Sequence, residues 1–546
     1  MEIADVAYPA SQSAARWLAR GAWLPQTVGQ LVEASADERG AADAVVDPGG
    51  RLTYRELEQR TAAAARHLLA SGLEPGDRVL VQVGIGRDAV AALLALCRAG
   101  LIPVCAVAQY RAYEMGALAD LSGARAHVVE PAAAPNADLL GLARQLRRDH
   151  ATLEHVIVAG DGAAPPDGTL ALEPAEAPAA IELPAATPRD VATFQLSGGT
   201  TGVPKIIPRF HGEYLGYAAA WADRLELTVD DVLLWCLPVA HNAGMICWLL
   251  PALLRGATLV LMPRFEAEAF LATIERERVT VTGSIGPIAP RLLDVEDPGR
   301  FALDSVRLFI TLNRADDIER HLGVPAMNLF GITEGLLMTS APDAPPAARH
   351  ATVGRPVSPH DEVRVLAVGE EREAGPGEIG ELCFRGPSTM PAYYRNDAAT
   401  RAAFTSDGFF RTGDLVRAHD VGGAPHYAFE GRAKDNIDRG GEKFGTEEIE
   451  ALLAGHPAIQ EARVVGMPDP YLGERVCAFV IVRPGEQAPH IDDLGAFLLE
   501  RGLAKFKLPE RIESIEAMPV TGVGKLDRAA LRKRIAETLA AEGAAR

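Results

Sequence analysis

Cysteine is scarce in this chain, and its spacing excludes two common uses of the residue. The 546 residues include six cysteines, and no two of them form a CxxC pair. This spacing argues against a zinc site and against a disulfide framework, and it predicts reduced thiols in a cytoplasmic protein. The sequence also lacks an apolar run of about eighteen residues, and residues 1–23 lack the segments of a signal peptide. It therefore predicts no membrane span and no export signal.

Positive charge is also in short supply. The chain has 54 Lys and Arg against 73 Asp and Glu, which gives a net charge of −19. This balance argues against nucleic acid or an anionic membrane as the main partner. A content of 48% hydrophobic and 23% charged residues is typical of a folded globular protein. A chain of this length exceeds one core, so two or three domains are expected.

Strand and helix patterns alternate twice along the chain. Residues 78–83 and 102–105 have the composition of buried strands, with a helical pattern between them. A second alternating array runs from residue 231 to residue 284. Such alternation predicts doubly wound, largely parallel sheets, so we expect two packed βα subdomains. Residues 1–50 are predicted to be a helical lead-in.

The pattern changes in the last third of the chain. Residues 378–385 and 427–430 are predicted strands of a β-rich region. After residues 431–435 the segments become short, which predicts a separate α+β domain of about 110 residues. The charged segment after Arg528 is predicted to be a helix that faces solvent.

The segment Leu196-Ser197-Gly198-Gly199-Thr200-Thr201-Gly202-Val203-Pro204-Lys205 is the strongest candidate for a ligand site. Three glycines let the backbone approach an anion closely, and three hydroxyls and a lysine add donors. These groups suit a polyphosphate, although the spacing is not that of the common P-loop. The alternative is a solvated hairpin loop.

Three further motifs carry groups that suit a nucleotide. In Phe330-Gly331-Ile332-Thr333-Glu334, the ring can lie beside a base, Thr333 can bind a phosphate and Glu334 can hold Mg²⁺. In Arg411-Thr412-Gly413-Asp414, the carboxylate can accept from a ribose diol, and Arg432 follows eighteen residues later. In Thr521-Gly522-Val523-Gly524-Lys525, a lysine stands on a glycine loop. Each motif taken alone also fits a surface turn.

Taken in order, the four motifs resemble the adenylate-forming ligases, which include acyl-CoA synthetases, nonribosomal adenylation domains and luciferases. The resemblance covers residues 53–525. It implies an α/β fold with a large N-terminal domain, residues 1–433, of two packed βα subdomains plus a β-rich part. It also implies a small mobile α+β C-terminal domain, residues 434–546, that swings about Lys434.

The resemblance also implies roles for residues. Lys525 becomes the adenylation lysine, with Lys205 as a second catalytic cation, and Glu334 holds the metal. The implied nucleotide-binding residues are Ser197, Gly198, Gly199, Thr200, Thr201, Gly202, Phe330, Gly331, Thr333, Asp414 and Arg432.

A narrower match is to the stand-alone ligases that activate 2,3-dihydroxybenzoate or salicylate. It rests on Pro208-Arg209-Phe210-His211, Leu237-Pro238-Val239-Ala240-His241-Asn242, Gly431-Arg432-Ala433-Lys434-Asp435 and Arg439-Gly440-Gly441-Glu442-Lys443. The match implies that Asn242 bonds the ortho hydroxyl of the aryl acid and that His241, the third catalytic candidate, gates its carboxylate side. The alternative is that both residues only cap the following helix.

Four pocket positions bear on the ring substituents. Cys247 stands where that family has Ser for a 3-hydroxyl ring, and Leu337 also favours salicylate. Ala243 replaces an aromatic residue, so one pocket wall is expected to be missing. Residues 311–315 replace a Gly-Gly-Ala segment of the family. These departures leave 3-hydroxyanthranilate and 2,3-dihydroxybenzoate open as substrates.

The expected activity is ATP- and Mg²⁺-dependent formation of an aryl-AMP, followed by transfer to a thiol. The thiol is predicted to be the phosphopantetheine of a carrier protein in trans, or CoA, admitted near Gly440 and Gly441. One alternative is a general aryl-CoA ligase. Another is a non-catalytic nucleotide-binding paralogue, which the altered segment at residues 311–315 favours and the intact Glu334, Asp414 and Lys525 oppose.

Overall fold

Large N-terminal and small C-terminal α/β domains confirm the predicted fold class. The computed structural model describes residues 2–160, 166–173, 181–197, 204–285, 288–432, 437–519 and 527–544. Within these ranges the large domain reaches residue 432 and the small domain begins at residue 437. The predicted boundary and the predicted hinge Lys434 lie outside the described residues.

A seven-stranded sheet forms one half of the large domain. Its strands are parallel except at one edge, where the last two run antiparallel. Parallel neighbours need crossover connections, and helices supply them. In spatial order the strands are Leu170–Ala171, His155–Val158, Ala126–Val129, Arg78–Gln82, Ile102–Cys105, Val191–Ser197 and Lys205–Phe210.

A nine-stranded sheet forms the other half. Its central strands are parallel, and antiparallel strands close both edges. In spatial order the strands are Arg355–Pro356, Leu337–Thr339, Ala326–Gly331, Leu308–Thr311, Val281–Ser284, Val232–Trp235, Thr258–Leu261, Asp43–Asp47 and Gly50–Thr53. The prediction of a helical lead-in was wrong for Asp43–Asp47, because three apolar residues between two aspartates are too few to show a strand pattern.

Helices of the large domain share one apolar core with strands of both sheets. Val79 from the seven-stranded sheet and Leu259 from the nine-stranded sheet belong to it. Thr53 caps the helix Tyr54–Ala70: its hydroxyl accepts from the Glu56 N–H, and the Glu56 carboxylate accepts from the Thr53 N–H. The helices are Ser11–Ala19, Val28–Arg39, Tyr54–Ala70, Arg87–Arg98, Ala112–Ser122, Leu139–Asp149, His211–Arg224, Leu250–Arg255, Ala267–Glu277, Ile288–Leu293, Ala315–Leu322, Pro346–Ala351 and Asp397–Ala403.

The β-rich part of the large domain is one antiparallel sheet. Its strands are Glu362–Leu366, Ile379–Arg385, Phe410–Val421 and Ala424–Arg432. Both predicted strands of this region lie within it, so the prediction is confirmed.

The small domain has its own sheet and its own core. The strands are Glu442–Phe444, Ile437–Arg439, Gly473–Val482 and Ile459–Asp469, with Arg511–Ser514 paired to Gly473–Val482. The helices are Glu447–Leu453, Ile491–Glu500 and Arg528–Ala544. The last helix buries Leu531 and Ile535, so the prediction that it faces solvent was wrong for that side. None of the described helices is both long and apolar enough to cross a membrane.

Candidate active site

A cavity of about 990 Å³ lies where the large and small domains meet. Residues from three of the four predicted motifs line it, among them Ser197, Lys205, Phe330, Thr333, Glu334 and Thr412. The predicted aryl-acid residues line the same cavity: His241, Asn242, Ala243, Cys247 and Leu337. The fold therefore places both sets of predicted residues around a single space.

The ends of the glycine–threonine segment lie at the antiparallel edge of the seven-stranded sheet. Ser197 ends one strand, Lys205 begins the next, and the two residues pair directly. Both of these end residues line the cavity. Gly198, Gly199, Thr200, Thr201 and Gly202 themselves lie outside the described residues.

Tyr393 connects Lys205 to Glu334. The Lys205 Nζ lies 4.3 Å from the centroid of the Tyr393 ring, a cation–π distance. The Tyr393 hydroxyl donates to the Glu334 Oε1 at 2.8 Å. Burial, and then the neighbouring Glu334 charge, raise the pKa of Tyr393, so the phenol keeps its proton and remains a donor. One tyrosine thus fixes the positions of a cation and a carboxylate from two motifs.

Arg209 forms a hydrogen bond with the backbone of the Phe330–Glu334 motif. Its guanidinium is 1% exposed, forms an ion pair with Glu213, and donates to the Thr333 carbonyl at 3.1 Å. Because Arg209 lies in the strand Lys205–Phe210, this bond ties the lysine strand to the turn that carries Thr333 and Glu334. Arg209 therefore connects the two motifs that are predicted to contact the phosphates, one ending at Lys205 and the other at Glu334.

The predicted ribose residue Asp414 is not among the described residues that line the cavity. Asp414 is fully buried in the strand Phe410–Val421, whereas Thr412 of the same strand and Gly431 of the paired strand do line the cavity. Arg432 pairs with Asp414 through the backbone, and its side chain is outside the described part. Phe330 also lines the cavity, and its ring centroid lies 6.4 Å from that of Phe429.

The Asn242 amide, which also lines the cavity, is held in one orientation by a hydrogen bond. The Tyr214 hydroxyl donates to the Asn242 Oδ1 at 2.8 Å, and Asn242 is 6% exposed. An amide whose oxygen accepts this bond presents its two Nδ2 hydrogens to a ligand. The capping interpretation thus does not account for Asn242, whose side chain bonds another side chain instead of the helix backbone.

His241 does partly fit the capping interpretation. Its Nδ1 accepts from the Ala243 N–H at 3.2 Å, which fixes the ring of a residue that also lines the cavity. A neutral imidazole that accepts at Nδ1 carries its proton on Nε2. His241 can therefore cap the following turn and still offer an N–H to a ligand.

Cys247 lies in a π-helical segment, Gly244–Leu249, that precedes the helix Leu250–Arg255. Wide turns of this kind often occur at functional sites because they re-aim side chains. Burial raises the pKa of the Cys247 thiol, so it stays neutral. The predicted role of a small, weakly polar wall is consistent with this environment.

Tryptophans form much of the apolar wall around Cys247. Three of the five tryptophans of the chain, Trp221, Trp235 and Trp248, line the cavity. Trp235 and Trp248 stack with their ring centroids 4.6 Å apart, and the Trp221 Nε1 donates to the Cys247 carbonyl at 3.0 Å. These planar walls suit an aromatic ligand.

The paired strands Ala326–Gly331 and Leu337–Thr339 carry residues of both the predicted nucleotide site and the predicted aryl-acid site. Gly331 pairs with Leu337 across antiparallel strands, and a Cβ added to Gly331 would lie 2.7 Å from the Leu337 Cδ2. The glycine therefore leaves the space that Leu337 occupies. This register places the predicted aryl-acid residue Leu337 directly beside the predicted nucleotide motif.

The altered segment at residues 311–315 does reach the cavity, as the sequence predicted. Leu312, Asn313 and Arg314 line it between the strand Leu308–Thr311 and the helix Ala315–Leu322. Asn313 has a left-handed backbone with φ of 51°, a conformation that asparagine tolerates better than most residues. A leucine, an asparagine and an arginine thus line the cavity in the segment where the resemblance implied Gly-Gly-Ala.

The small domain closes one side of the cavity. The turn between Ile437–Arg439 and Glu442–Phe444 contributes Asp438, Gly441 and Glu442, and residues 469–474 add a second loop. The Asp438 Oδ1 accepts from the Gly441 N–H at 3.1 Å, which closes the turn. Ala529 and Arg532 of the helix Arg528–Ala544 also line the cavity, whereas Lys525 lies outside the described residues.

Comparison with known proteins shows the family. The model of the AMP-binding enzyme family matches residues 32–394, and that of the AMP-binding enzyme C-terminal domain matches residues 448–525. The chain belongs to this family of adenylate-forming enzymes.

Its relatives include named aryl-acid ligases. The chain is 38% identical to a salicyl-AMP ligase / salicyl-S-ArCP synthetase of Mycobacterium tuberculosis, over 97% of this chain and 94% of that one. It is 37% identical to a 2,3-dihydroxybenzoate-AMP ligase of Bacillus subtilis, over 95% and 96% of the two chains. The apo structure of MbtA from Mycobacterium smegmatis superimposes with a TM-score of 0.73 at 35% identity, covering 97% and 99%. The predicted resemblance to aryl acid–AMP ligases is confirmed.

Several residues of the site carried no predicted role. Tyr393 and the three tryptophans line the cavity, and Tyr214 and Arg209 bond to Asn242 and to the Thr333 carbonyl. The adjacent pair Tyr393-Tyr394 and the rarity of tryptophan were the available signals. Neither signal indicates a contact with a residue about sixty positions away, such as the bond from Tyr393 to Glu334.

Proposed function

We propose that this enzyme activates a 2-hydroxybenzoate-type aryl acid, salicylate by preference, with ATP and then transfers the acyl group to a thiol. The observation that carries the proposal is that Lys205 and Glu334 line the same cavity as His241, Asn242 and Cys247. In the first step an aryl carboxylate oxygen bonds to the α-phosphorus of ATP. The bond from that phosphorus to the β-phosphate oxygen breaks, and pyrophosphate leaves.

The protein's contribution to the first step is positioning and charge stabilisation, as in other phosphoryl-type transfers. Lys205, fixed over Tyr393, supplies positive charge. Thr333 supplies a hydroxyl, with its backbone tied to Arg209. The hydroxyls and glycines of residues 197–202 are the proposed cradle for the triphosphate. Lys525, delivered by the small domain, is the proposed second cation.

Glu334 is the proposed holder of Mg²⁺. Its position fits this role because it lines the cavity and is oriented by Tyr393. No three potential ligands of the His, Cys, Asp or Glu type converge in the described part of the chain. A magnesium ion at Glu334 would complete its shell with phosphate oxygens and water, as this ion usually does. When bound, it would neutralise phosphate charge.

Asn242 and His241 are proposed to bind the aryl acid through hydrogen bonds. The Nδ2 group of Asn242, oriented by Tyr214, can donate to the ortho oxygen of the ring. The Nε2 proton of His241 can donate to the carboxylate. Two donors on neighbouring residues match a carboxylate and an ortho oxygen on neighbouring ring positions. This pairing favours 2-hydroxybenzoates over unsubstituted benzoate.

Replacing Asn242 by leucine should make the enzyme indifferent to the ortho hydroxyl. We expect kcat/KM for salicylate to fall about 10- to 100-fold, since a bond to a buried polar group is lost, while that for benzoate changes little. Tyr214→Phe should give a smaller loss in the same direction, because it only releases the amide. The measurement is ATP–pyrophosphate exchange with both acids. An equal loss with both acids would remove Asn242 from ortho-hydroxyl recognition.

Replacing Cys247 by serine should shift preference toward 2,3-dihydroxybenzoate. A hydroxyl can bond the 3-hydroxyl of the ring, so we expect the ratio of kcat/KM for 2,3-dihydroxybenzoate to salicylate to rise about 2- to 10-fold. The matched control is Cys236→Ser, since Cys236 is also buried but is not among the residues that line the cavity. A ratio that stays the same for Cys247→Ser would contradict its proposed role in specificity.

The second step is the proposed transfer to a thiol after the small domain, residues 434–546, turns about Lys434. The thiol sulfur bonds to the acyl carbon, the acyl–phosphate bond breaks and AMP leaves. The acceptor is proposed to be the phosphopantetheine of a carrier protein in trans, with CoA as the alternative. Comparing a holo aryl carrier protein with CoA as acceptor separates a carrier-dependent ligase from a general aryl-CoA ligase.

The experiment that tests the whole proposal is a pyrophosphate-exchange screen over substituted benzoates. Salicylate should give the highest kcat/KM. A higher value for 3-hydroxyanthranilate would be explained by Leu312 and Arg314, which line the cavity. Absence of exchange with every benzoate would contradict the proposal and favour a non-catalytic nucleotide-binding protein.

A further inference from the structure

Three charged side chains meet in a buried cluster at the junction of the two domains. The Lys507 Nζ lies 2.8 Å from the Glu448 Oε1 and 3.2 Å from the Glu114 Oε1. Lys507 and Glu448 are each 2% exposed, and Glu114 is 0% exposed. Lys507 and Glu448 belong to the small domain and Glu114 to the large one. We call these three residues the domain clamp.

The polar groups of the clamp are satisfied across the junction. The Glu114 Oε1 also accepts from the backbone N–H of Ala504 in the small domain, at 3.1 Å. Its Oε2 accepts from the Arg111 N–H at 3.0 Å, which caps the helix Ala112–Ser122 of the large domain. The same carboxylate thus caps a helix of one domain and binds the backbone of the other. In the present orientation of the domains, Glu114 has both sets of partners.

The clamp lies beside the active-site cavity. Tyr110 lines that cavity, stacks on Phe506 of the small domain at 6.3 Å, and has the Lys507 ammonium 5.4 Å from its ring centroid. In this orientation Gly441 faces the cavity. The clamp is therefore made when the glycine turn, the proposed entrance for the thiol, closes the site.

A buried ion cluster adds little to the stability of a fold, but it can favour one orientation of two domains over others. The cost of desolvating the charges offsets most of their attraction, whereas loss of one partner leaves a buried charge uncompensated. If the domains separate, Lys507 keeps Glu448, and Glu114 returns to water with its helix cap intact. The contact between Glu114 and the small domain can therefore break when the domains separate. The same cluster disfavours partly rotated orientations, in which the charges would be buried without their partners.

We propose that Glu114 is a positioning residue for thiol transfer alone. It holds the small domain in the orientation in which the turn at residues 438–442 lines the cavity, and it has no part in forming the aryl-AMP. This inference rests on the proposed two-step function. It assigns to one carboxylate, distant in sequence from every motif of the active site, the choice between the two half-reactions.

Glu114→Ala should separate the two half-reactions. We expect thioester formation on pantetheine, the thiol group shared by carrier proteins and CoA, to fall about 10- to 100-fold. Salicylate-dependent pyrophosphate exchange should stay within about twofold of the unmodified enzyme, because that step does not need the clamp. Glu114→Gln keeps an acceptor for the Ala504 N–H and should retain more transfer than Glu114→Ala.

The matched control for the lost helix cap is Glu56→Ala. Glu56 caps the helix Tyr54–Ala70 in the same way, through the Thr53 N–H, and is exposed to solvent. The Glu56→Ala variant should leave the rates of both half-reactions unchanged. If Glu114→Ala lowers both half-reactions equally, or changes neither, the proposal is overturned.

A measurement without substrate separates failure of the clamp from failure of the proposed function. The six native cysteines are buried, so Glu38→Cys and Glu537→Cys, at exposed positions in the two domains, can carry spin labels. Glu114→Ala should broaden or shift the distance distribution between these labels. An unchanged distribution would overturn the clamp. If no benzoate supports exchange but the distribution still shifts, the two-step function is wrong and the clamp remains.

Discussion

Replacing Lys525 by alanine should lower salicylate-dependent ATP–pyrophosphate exchange about 100- to 1,000-fold, the loss typical of one electrostatic group aimed at the transition state. Negative charge is redistributed over the phosphate oxygens as pyrophosphate leaves, and a lysine on a glycine loop can meet that charge at the moment it forms. ATP affinity should change only severalfold, because the cradle, Lys205 and Glu334 remain. The measurements are exchange kinetics and equilibrium binding of ATP.

The control for Lys525 is another lysine of the small domain. Lys533 is exposed on the helix Arg528–Ala544 and lies 3.9 Å from Glu537. Lys533→Ala removes the same charge from the same domain and should leave exchange unchanged. Full exchange by Lys525→Ala would contradict its catalytic role, and an equal loss in both variants would point to the net charge of the domain instead.

Replacing Glu334 by glutamine should produce the second large effect. We expect exchange to fall about 100-fold and the concentration of Mg²⁺ at half-saturation to rise, because a neutral amide is a weak ligand for this ion. Glutamine retains an oxygen that can accept from Tyr393, so the loop should keep its position. The measurement is the exchange rate as a function of Mg²⁺ concentration.

Tyr393→Phe separates the charge of Glu334 from its orientation. This variant keeps a ring under the Lys205 ammonium and removes only the bond to Glu334. We expect a loss of about 2- to 10-fold, the range of one neutral-to-charged hydrogen bond, with little change in Mg²⁺ dependence. An unaltered Mg²⁺ dependence in Glu334→Gln would exclude Glu334 as the metal ligand.

Three positions at which the sequence departs from the pattern that the resemblance implies line the same cavity. Ala243 replaces a larger residue of that pattern and precedes the π-helical segment, while Leu312 and Arg314 replace small ones after the strand Leu308–Thr311. The changes are opposite in sign, since one removes volume and the other adds it. A substrate placed differently from salicylate in its relatives would be accommodated by such a compensated pocket, which is why the screen includes amino-substituted rings.

The sequence by itself determined the class of the protein. Glycine loops, an ordered set of polar motifs and the strand–helix alternation are local patterns, because turns need glycine and parallel strands need crossovers. They were sufficient to predict the two-domain α/β fold, the family and several residues that line the cavity. His241 and Asn242 belong to a recognisable motif, and Cys247 follows that motif by five positions.

Only the tertiary structure decided which residues act together. Tyr393 binds Glu334 across 59 positions, and Lys507 meets Glu114 from the other domain. It also buried Asp414 in a strand of which Thr412 lines the cavity, which a turn motif does not reveal. The physical reason is that hydrogen bonds and ion pairs require distances near 3 Å, and packing sets those distances between segments whose sequences carry no sign of each other.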